Sequence, residues 1–192
     1  MRRLIAGMKV SIDGKIEGPD GYADWVASWA EEYGLTQQID ACIVGGRMYP
    51  GYEMYWTAIQ NQPYQALPMT GKFPTPEEIR WGRFADQTPH YVLSQTSSAA
   101  NWSKTSFLRN IDDVSELKQK PGKDIYLMGG ASVTTALIDG GLVDELRLLV
   151  YPLIAGPGKE LFGTIACRHQ LELKDTKTLP DGRVSLAYDI DK

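Results

Sequence analysis

A glycine-containing segment that follows an apolar run of this sequence has the residue types of an anion-binding turn. Gly129-Gly130-Ala131-Ser132 comes directly after the apolar run Asp124–Met128. Glycines let the backbone approach a ligand closely, and a helix that starts here offers unpaired N–H groups and about half a positive charge. The segment therefore predicts a binding site for a diphosphate. The alternative is a tight turn that only packs a helix on a strand.

Two further segments repeat this arrangement elsewhere in the chain. Gly45-Gly46-Arg47 follows an apolar run that starts at Ile39, and Arg47 is either a phosphate-binding guanidinium or an ordinary surface residue. Ser94-Gln95-Thr96 follows His90–Leu93 and adds two hydroxyls and an amide. Because open α/β sheets bind ligands at the carboxyl ends of their strands, three such ends predict an extended anionic ligand. A dinucleotide is the natural candidate.

Several other chemistries are disfavoured by what the sequence lacks. The patterns GxxxxGK[ST], GxSxG and GxGxxG do not occur, which argues against phosphate-loop kinases and transferases and against serine hydrolases. The two cysteines and two histidines match no metal-ligand spacing, so we expect no metal site. A net charge of -4 argues against nucleic acid as a partner. No apolar run approaches the ~20 residues that a membrane helix needs, and two cysteines suit a reducing compartment, so we expect a cytoplasmic protein without membrane contact.

The elements that must position these segments alternate between strands and helices. Apolar runs and their flanking turns predict strands at Leu4–Ile12, Ile39–Gly46, His90–Leu93, Ser106–Arg109, Asp124–Met128, Glu145–Ile154, Gln170–Thr178 and Arg183–Ile190. Capping residues and helical spacing predict helices at Trp25–Tyr33, Pro76–Phe84, Asp112–Lys120 and Val133–Asp139. From Arg47 onward a short helix or a loop is expected, and the rest of 50–88 is expected to be irregular. This order predicts one α/β domain over residues 1–192, with a mostly parallel sheet and an antiparallel C-terminal hairpin.

An ordered set of motifs runs through nearly the whole chain, less closely across 50–88. The set comprises Ser11-Ile12-Asp13-Gly14-Lys15-Ile16, Gly46-Arg47, Tyr91-Val92-Leu93-Ser94, Leu127-Met128-Gly129-Gly130-Ala131-Ser132, Gly141-Leu142-Val143-Asp144-Glu145-Leu146, Pro152, Gly156-Pro157-Gly158 and Leu161-Phe162. It resembles the C-terminal reductase domain of the bifunctional riboflavin-biosynthesis deaminase–reductase, which is similar in fold to dihydrofolate reductase. The resemblance implies a three-layer dihydrofolate-reductase-like fold, NADPH, hydride transfer and a homodimer. The HxE…PCxxC signature of a zinc deaminase does not occur, so only the reductase activity is expected.

The resemblance also implies which residues bind the cofactor. These are Gly46, Arg47, Ser94, Gln95, Gly129, Gly130, Ala131 and Ser132. Family members commonly carry an arginine after the serine, where it would meet the 2′-phosphate of NADPH, whereas this chain has the neutral Gln95. We therefore expect at most a modest preference for NADPH, with NADH also possible.

On the substrate side, hydride transfer needs a proton from a carboxylic acid, a tyrosine or water. Dihydrofolate reductases use one acid on the helix after the first loop. Asp24 stands at the start of the predicted helix here, with Glu31 and Glu32 near its end. We favour Asp24 as the catalytic acid, although helix capping is its alternative role. Tyr151 resembles a substrate-binding position, the alternative being a core residue.

The expected function is an NADPH-dependent reductase of a pterin-like or ribosylaminopyrimidine substrate. One alternative is activity like that of dihydrofolate reductase. The other is a nucleotide-binding dimer without turnover, which Gln95 and the lack of an obvious acid favour. The apolar strand Glu145–Ile154 and the C-terminal hairpin offer sheet surface that a homodimer could bury.

Overall fold

The computed structural model describes residues 1–191 of the chain. Its strands are β1 (Leu4–Ser11), β2 (Lys15–Glu17), β3 (Ile39–Gly45), β4 (His90–Leu93), β5 (Thr105–Leu108), β6 (Asp124–Leu127), β7 (Glu145–Tyr151), β8 (Lys159–Glu160), β9 (Leu171–Thr178) and β10 (Val184–Ile190). Its helices are α1 (Tyr49–Asn61), α2 (Pro76–Gln87), α3 (Ile111–Gln119) and α4 (Ala131–Asp139). Within residues 1–191, no helix combines the length and apolar character needed to cross a lipid bilayer.

The main sheet has the strand order β5-β4-β3-β6-β1-β7-β10-β9. The first six strands of this order, from β5 across to β7, are parallel to their neighbours, while β10 is antiparallel to both β7 and β9. Strands β2 and β8 form a separate antiparallel pair. The expected α/β class is confirmed: a mostly parallel central sheet carries an antiparallel C-terminal hairpin.

Helices cover both faces of the sheet, and β1 shows how the sequence supports two cores. Successive side chains of a strand point to opposite faces. Ile5 accordingly packs in a cluster with Trp56 of α1, whereas Leu4 packs in a second cluster with Leu117 of α3 and Leu137 of α4. Strands that are covered on both faces need continuous apolar runs, which explains the pattern that predicted β1, β3 and β6.

The helix expected at Trp25–Tyr33 does not form, and residues 23–38 are turns and bends instead. The ammonium of Lys9 on β1 donates hydrogen bonds to the backbone carbonyls of Ser28 and Ala30. Carbonyls bound in this way are not available to a helical ladder. Asp24 therefore caps no helix, and its predicted helical setting was wrong.

The segment 50–88 is more regular than expected, because α1 occupies Tyr49–Asn61. Its proline lies in the first turn, where proline is compatible with a helix, and its buried residues recur at helical spacing. Helix α2 is confirmed with its predicted cap. The Thr75 hydroxyl accepts from the N–H of Glu78, and the Glu78 carboxylate accepts from the N–H of Thr75.

His90 on β4 gives a testable link between the fold and pH. Its Nδ1 donates to the carbonyl oxygen of Thr88 at 2.8 Å, and its Nε2 accepts from the hydroxyl of Tyr52 at 3.0 Å. Burial lowers the pKa of His90 from 6.5 to about 4. The unfolded chain therefore binds a proton that the folded chain excludes, and stability must fall as the pH drops through this window.

We predict that the free energy of unfolding loses roughly 2 to 3 kcal/mol through His90 between pH 7.5 and pH 4.5. His90→Gln should remove this part of the pH dependence, because glutamine has no proton to gain. Urea unfolding of both proteins at both pH values measures it. An equal loss in the variant and the parent would show that other groups carry the effect.

Candidate active site

The fold brings the three glycine-containing and polar segments together at the carboxyl edge of the sheet. The N–H of Gly45 donates to the carbonyl of Gly129 at 2.8 Å, and the N–H of Gly46 donates to the carbonyl of Leu93 at 3.1 Å. The three segments surround a cavity of about 390 Å³, which we call the nucleotide cavity. Seven of the eight residues expected to bind cofactor line it: Gly46, Arg47, Ser94, Gln95, Gly130, Ala131 and Ser132.

The two glycines before α4 have different roles. Gly129 has a φ of 103°, which favours glycine, and a Cβ there would lie 3.1 Å from the sulfur of Met8. Gly130 has an ordinary φ of -81° and forms the N-cap of α4 without a capping side chain. A Cβ on Gly130 would meet no atom within 4 Å, so this position faces open space in the nucleotide cavity. The first turn of α4 can therefore approach an anion closely.

Gly46 and the loop 94–97 form the opposite wall of the nucleotide cavity. A Cβ on Gly46 would lie 2.5 Å from the Ser94 side chain, so only glycine permits this approach. The guanidinium of Arg109 donates to the carbonyls of Ser94 and Ser97 at 2.9 and 2.6 Å. Arg109 brings a positive charge to this loop that sequence reasoning missed. It follows β5, and only the parallel pairing of β4 with β5 places it beside Ser94.

A second cavity of about 270 Å³, which we call the reaction cavity, adjoins the first. Met48, Gly130 and Lys159 line both cavities. Lys159 on β8 also lies 3.4 Å from the carboxylate of Glu17, and no motif in the sequence distinguished it. The two cavities share these residues and together form one cleft, in which Arg47 lines only the nucleotide cavity, Lys9 only the reaction cavity and Lys159 both.

Aromatic rings and a carboxylate face the reaction cavity together. Tyr33 and Tyr126 line it, and burial raises the pKa of both phenols well above the ordinary value, so they stay protonated at neutral pH. Glu31 also lines it, and the two oxygens of its carboxylate accept from the N–H of Tyr33 and from the hydroxyl of Thr36. Glu31 is thus an oriented, half-buried acid in a cavity suited to a flat polar ring.

The structure separates the three acids that the sequence offered as proton donors. Asp24 is exposed and lines neither the nucleotide cavity nor the reaction cavity. Glu32 forms ion pairs with Lys9 and Arg183. Among these three, Glu31 alone lines the reaction cavity.

Lys9 lines the reaction cavity, but its ammonium serves to hold a neighbouring segment of the chain in place. Its ammonium donates to Ser28, Ala30 and Glu32, which uses all three of its hydrogens. Burial lowers the pKa of Lys9, while the carboxylate of Glu32 opposes that shift. The segment that carries Glu31 is thereby fixed to β1.

Tyr151, which the sequence placed on the substrate side, lies in the core in this structure. It is buried in the same cluster as Leu149, two residues away on the same face of β7. Its hydroxyl accepts from Arg183 at 3.3 Å, and the Arg183 guanidinium stands over its ring. It lines neither cavity, so the structure favours its core role. Within residues 1–191, no cluster of side chains suited to a metal ion is found.

Comparison with known proteins places this geometry in a family. The model of the RibD C-terminal domain matches residues 2–185. YyaP, an uncharacterized protein of Bacillus subtilis strain 168, is 33% identical over an alignment of 192 positions that covers 97% of this chain and 94% of that protein.

Solved structures show the same fold. A putative riboflavin biosynthesis protein from Shewanella sp. PV-4 has a TM-score of 0.72 and 17% identity, covering 99% of each chain. A diaminohydroxyphosphoribosylaminopyrimidine deaminase/5-amino-6-(5-phosphoribosylamino)uracil reductase from Thermotoga maritima has a TM-score of 0.64 and 12% identity, covering 98% of this chain and 56% of that one. Dihydrofolate reductase from Enterococcus faecalis, complexed with NADP(H), has a TM-score of 0.59 and 15% identity over 99% and 97% of the chains. With its dihydrofolate-reductase-like fold and a family match over almost its whole length, the chain belongs to the RibD C-terminal domain family.

Proposed function

We propose that this protein is an NAD(P)H-dependent reductase that transfers a hydride to a pterin-like or ribosylaminopyrimidine substrate. One observation carries the proposal: the segments expected to bind a dinucleotide surround one cavity, and this cavity continues into a second that holds an oriented carboxylate. The family match to a reductase domain supports the same activity.

The residues of the nucleotide cavity suit a dinucleotide. The open space over Gly130 and the first turn of α4 suit its diphosphate. Arg47 and Lys159 line the same cavity and add positive charge. The loop 94–97, with Arg109 behind it, offers hydroxyls and an amide to the adenosine side. When bound here, the nicotinamide supplies the hydride.

The chain's own residues supply the proton and hold the substrate. Glu31 lies where a carboxyl can pair with the N–H groups of a heterocycle and deliver a proton to the atom beside the reduced carbon. The reaction cavity is enclosed by four aromatic side chains, which limit the access of water to the substrate: Trp29, Tyr33, Trp81 and Tyr126. The presence of this acid favours a reductase over the alternative of a nucleotide-binding protein without turnover.

We predict that Gly130→Val weakens NADPH binding at least tenfold, about 1.4 kcal/mol, because its methyl groups fill the space of the diphosphate. The fold should survive, since the φ of Gly130 is ordinary and its Cβ direction is open. The matched control is Gly163→Val, an exposed position where a Cβ first meets the side chain of Glu160 at 3.3 Å. Calorimetry should show parental affinity in the control. A folded Gly130→Val protein with parental affinity would place the dinucleotide elsewhere.

We expect NADPH to be preferred over NADH by less than about a hundredfold, or 2.7 kcal/mol. Gln95 gives a 2′-phosphate neutral hydrogen bonds, which are roughly half as strong as charge-assisted ones. Arg109→Gln should reduce the preference for NADPH, because it should weaken the binding of NADPH more than the binding of NADH. Titration of both cofactors into both proteins measures this. A larger preference that Arg109→Gln leaves intact would mean that another cation binds the phosphate.

Glu31→Gln should lower kcat about a hundredfold, the usual contribution of a general acid, and leave NADPH affinity unchanged. Asp24→Asn is the matched control, and its kcat should stay near the parental value. NADPH oxidation with 5-amino-6-(5-phosphoribosylamino)uracil and with dihydropterins provides the assay. The opposite ranking of the two variants would return the role to Asp24, and no oxidation with any of these substrates would contradict the proposed reaction.

A further inference from the structure

A third cavity of about 450 Å³ continues from the reaction cavity, and its chemistry is different. Trp29 and Met48 line both of them. We call the third cavity the aromatic groove, after its ring-bearing residues Tyr22, Trp29, Tyr52, Tyr55 and Trp56. None of the ten residues that line it carries a charge, whereas Lys9, Glu17, Glu31 and Lys159 line the reaction cavity.

The aromatic groove leaves large apolar side chains in contact with water. Tyr52 and Trp56 form its buried floor. Tyr22, Trp29 and Met69 at its rim are 51%, 38% and 45% exposed. A concave, contiguous apolar surface of this kind marks a binding site more often than scattered exposed residues do.

Hydrogen bonds behind the wall hold the aromatic groove in shape. One oxygen of the Glu78 carboxylate accepts from the N–H of Trp29 at 3.1 Å and from the hydroxyl of Tyr55 at 2.8 Å. Its other oxygen accepts from the N–H of Thr75, which caps α2. The hydroxyl of Tyr52 is bound to His90. The polar tips of two tyrosines are therefore already engaged, and a ligand meets a largely preorganised apolar wall.

We propose that the aromatic groove binds an uncharged aromatic group that is joined to the heterocycle bound in the reaction cavity. This inference rests on the proposed function for the identity of that heterocycle. Aromatic side chains pair with a flat ring by offset or edge-to-face contacts, and the methionines Met48 and Met69 add sulfur contacts. No cation lines the groove itself to pair with the dianion of a phosphoribosyl extension, and Lys72 lines a smaller cavity that shares Tyr22, Trp29, Tyr55 and Thr70 with the groove. For the part of the substrate that enters the groove, this lining therefore favours a fused or attached aryl group.

A matched pair of ligands tests the groove without requiring turnover. 6,7-Dimethyllumazine and lumichrome are both uncharged and share a pyrimidinedione fused to a pyrazine ring, but lumichrome carries an additional benzene ring. Lumichrome should bind the parent protein about tenfold more tightly in equilibrium dialysis, since one more ring is stacked and removed from water.

Gly51→Phe is the variant that fills the groove. Gly51 lines the groove on α1, has no positive φ, and a Cβ there would meet no atom within 4 Å. The variant should abolish the advantage of lumichrome while 6,7-dimethyllumazine binds as before, and unchanged NADPH affinity would report an intact fold. Tyr22→Ala, at the rim and outside the reaction cavity, should weaken lumichrome about threefold.

Each outcome decides for or against the groove. Equal affinity of the two ligands for the parent, or an advantage of lumichrome that survives Gly51→Phe, overturns the proposal. So does a parental dimer that Gly51→Phe dissociates in sedimentation experiments, because the groove would then be an interface between copies of the chain. If the parent protein does not bind NADPH but still binds lumichrome more tightly than 6,7-dimethyllumazine, the proposed function is contradicted. The proposal of an aromatic subsite would stand.

Discussion

One side of the cleft depends on the buried ammonium of Lys9. A charge that is removed from water needs a full set of partners, and the carbonyls of Ser28 and Ala30 and the carboxylate of Glu32 provide it. Arg183 binds the same carboxylate, so the start of β10 is joined to the same cluster. A segment without regular hydrogen bonding is thereby held against the central strand, and it presents both Trp29 and Glu31 to the cleft.

The opposite side of the cleft is built in another way. Its shape comes from the backbone: parallel strand ends meet at one edge, Gly46 allows the approach of the loop 94–97, and the first turn of α4 points its N–H groups toward the gap between them. Few side-chain contacts are needed to form this wall. The cations Arg47, Lys159 and Arg109 then add charge around a cavity that the sheet has already shaped.

What could be predicted from the sequence follows this division. Apolar runs and the glycines that end them are local signals. The parallel sheet and the turn from strand to helix at Gly129–Ser132 could therefore be predicted. The helix predicted from Trp25 failed because Lys9, which captures its carbonyls, lies on another element, and the choice of Asp24 over Glu31 depended on that helix. Helix α1 was expected only as a short helix or a loop from Arg47 onward, because the composition of this part of the chain is typical of loops. Arg109 and Lys159 reach the cleft only through strand pairing, which a single sequence does not reveal.

The Glu78 carboxylate has a consequence for how this cleft can diverge. It joins Trp29 at the rim of the aromatic groove, Tyr55 in its wall and the cap of α2 from behind, so the exposed side chains of the rim are not needed to hold these elements together. Side chains such as Tyr22 and Met69 can be exchanged without disturbing the sheet or the backbone around Gly130. A lineage can therefore change the shape of this groove by replacing a few rim residues while the sheet edge around Gly130 is inherited unchanged, and a designer can follow the same route.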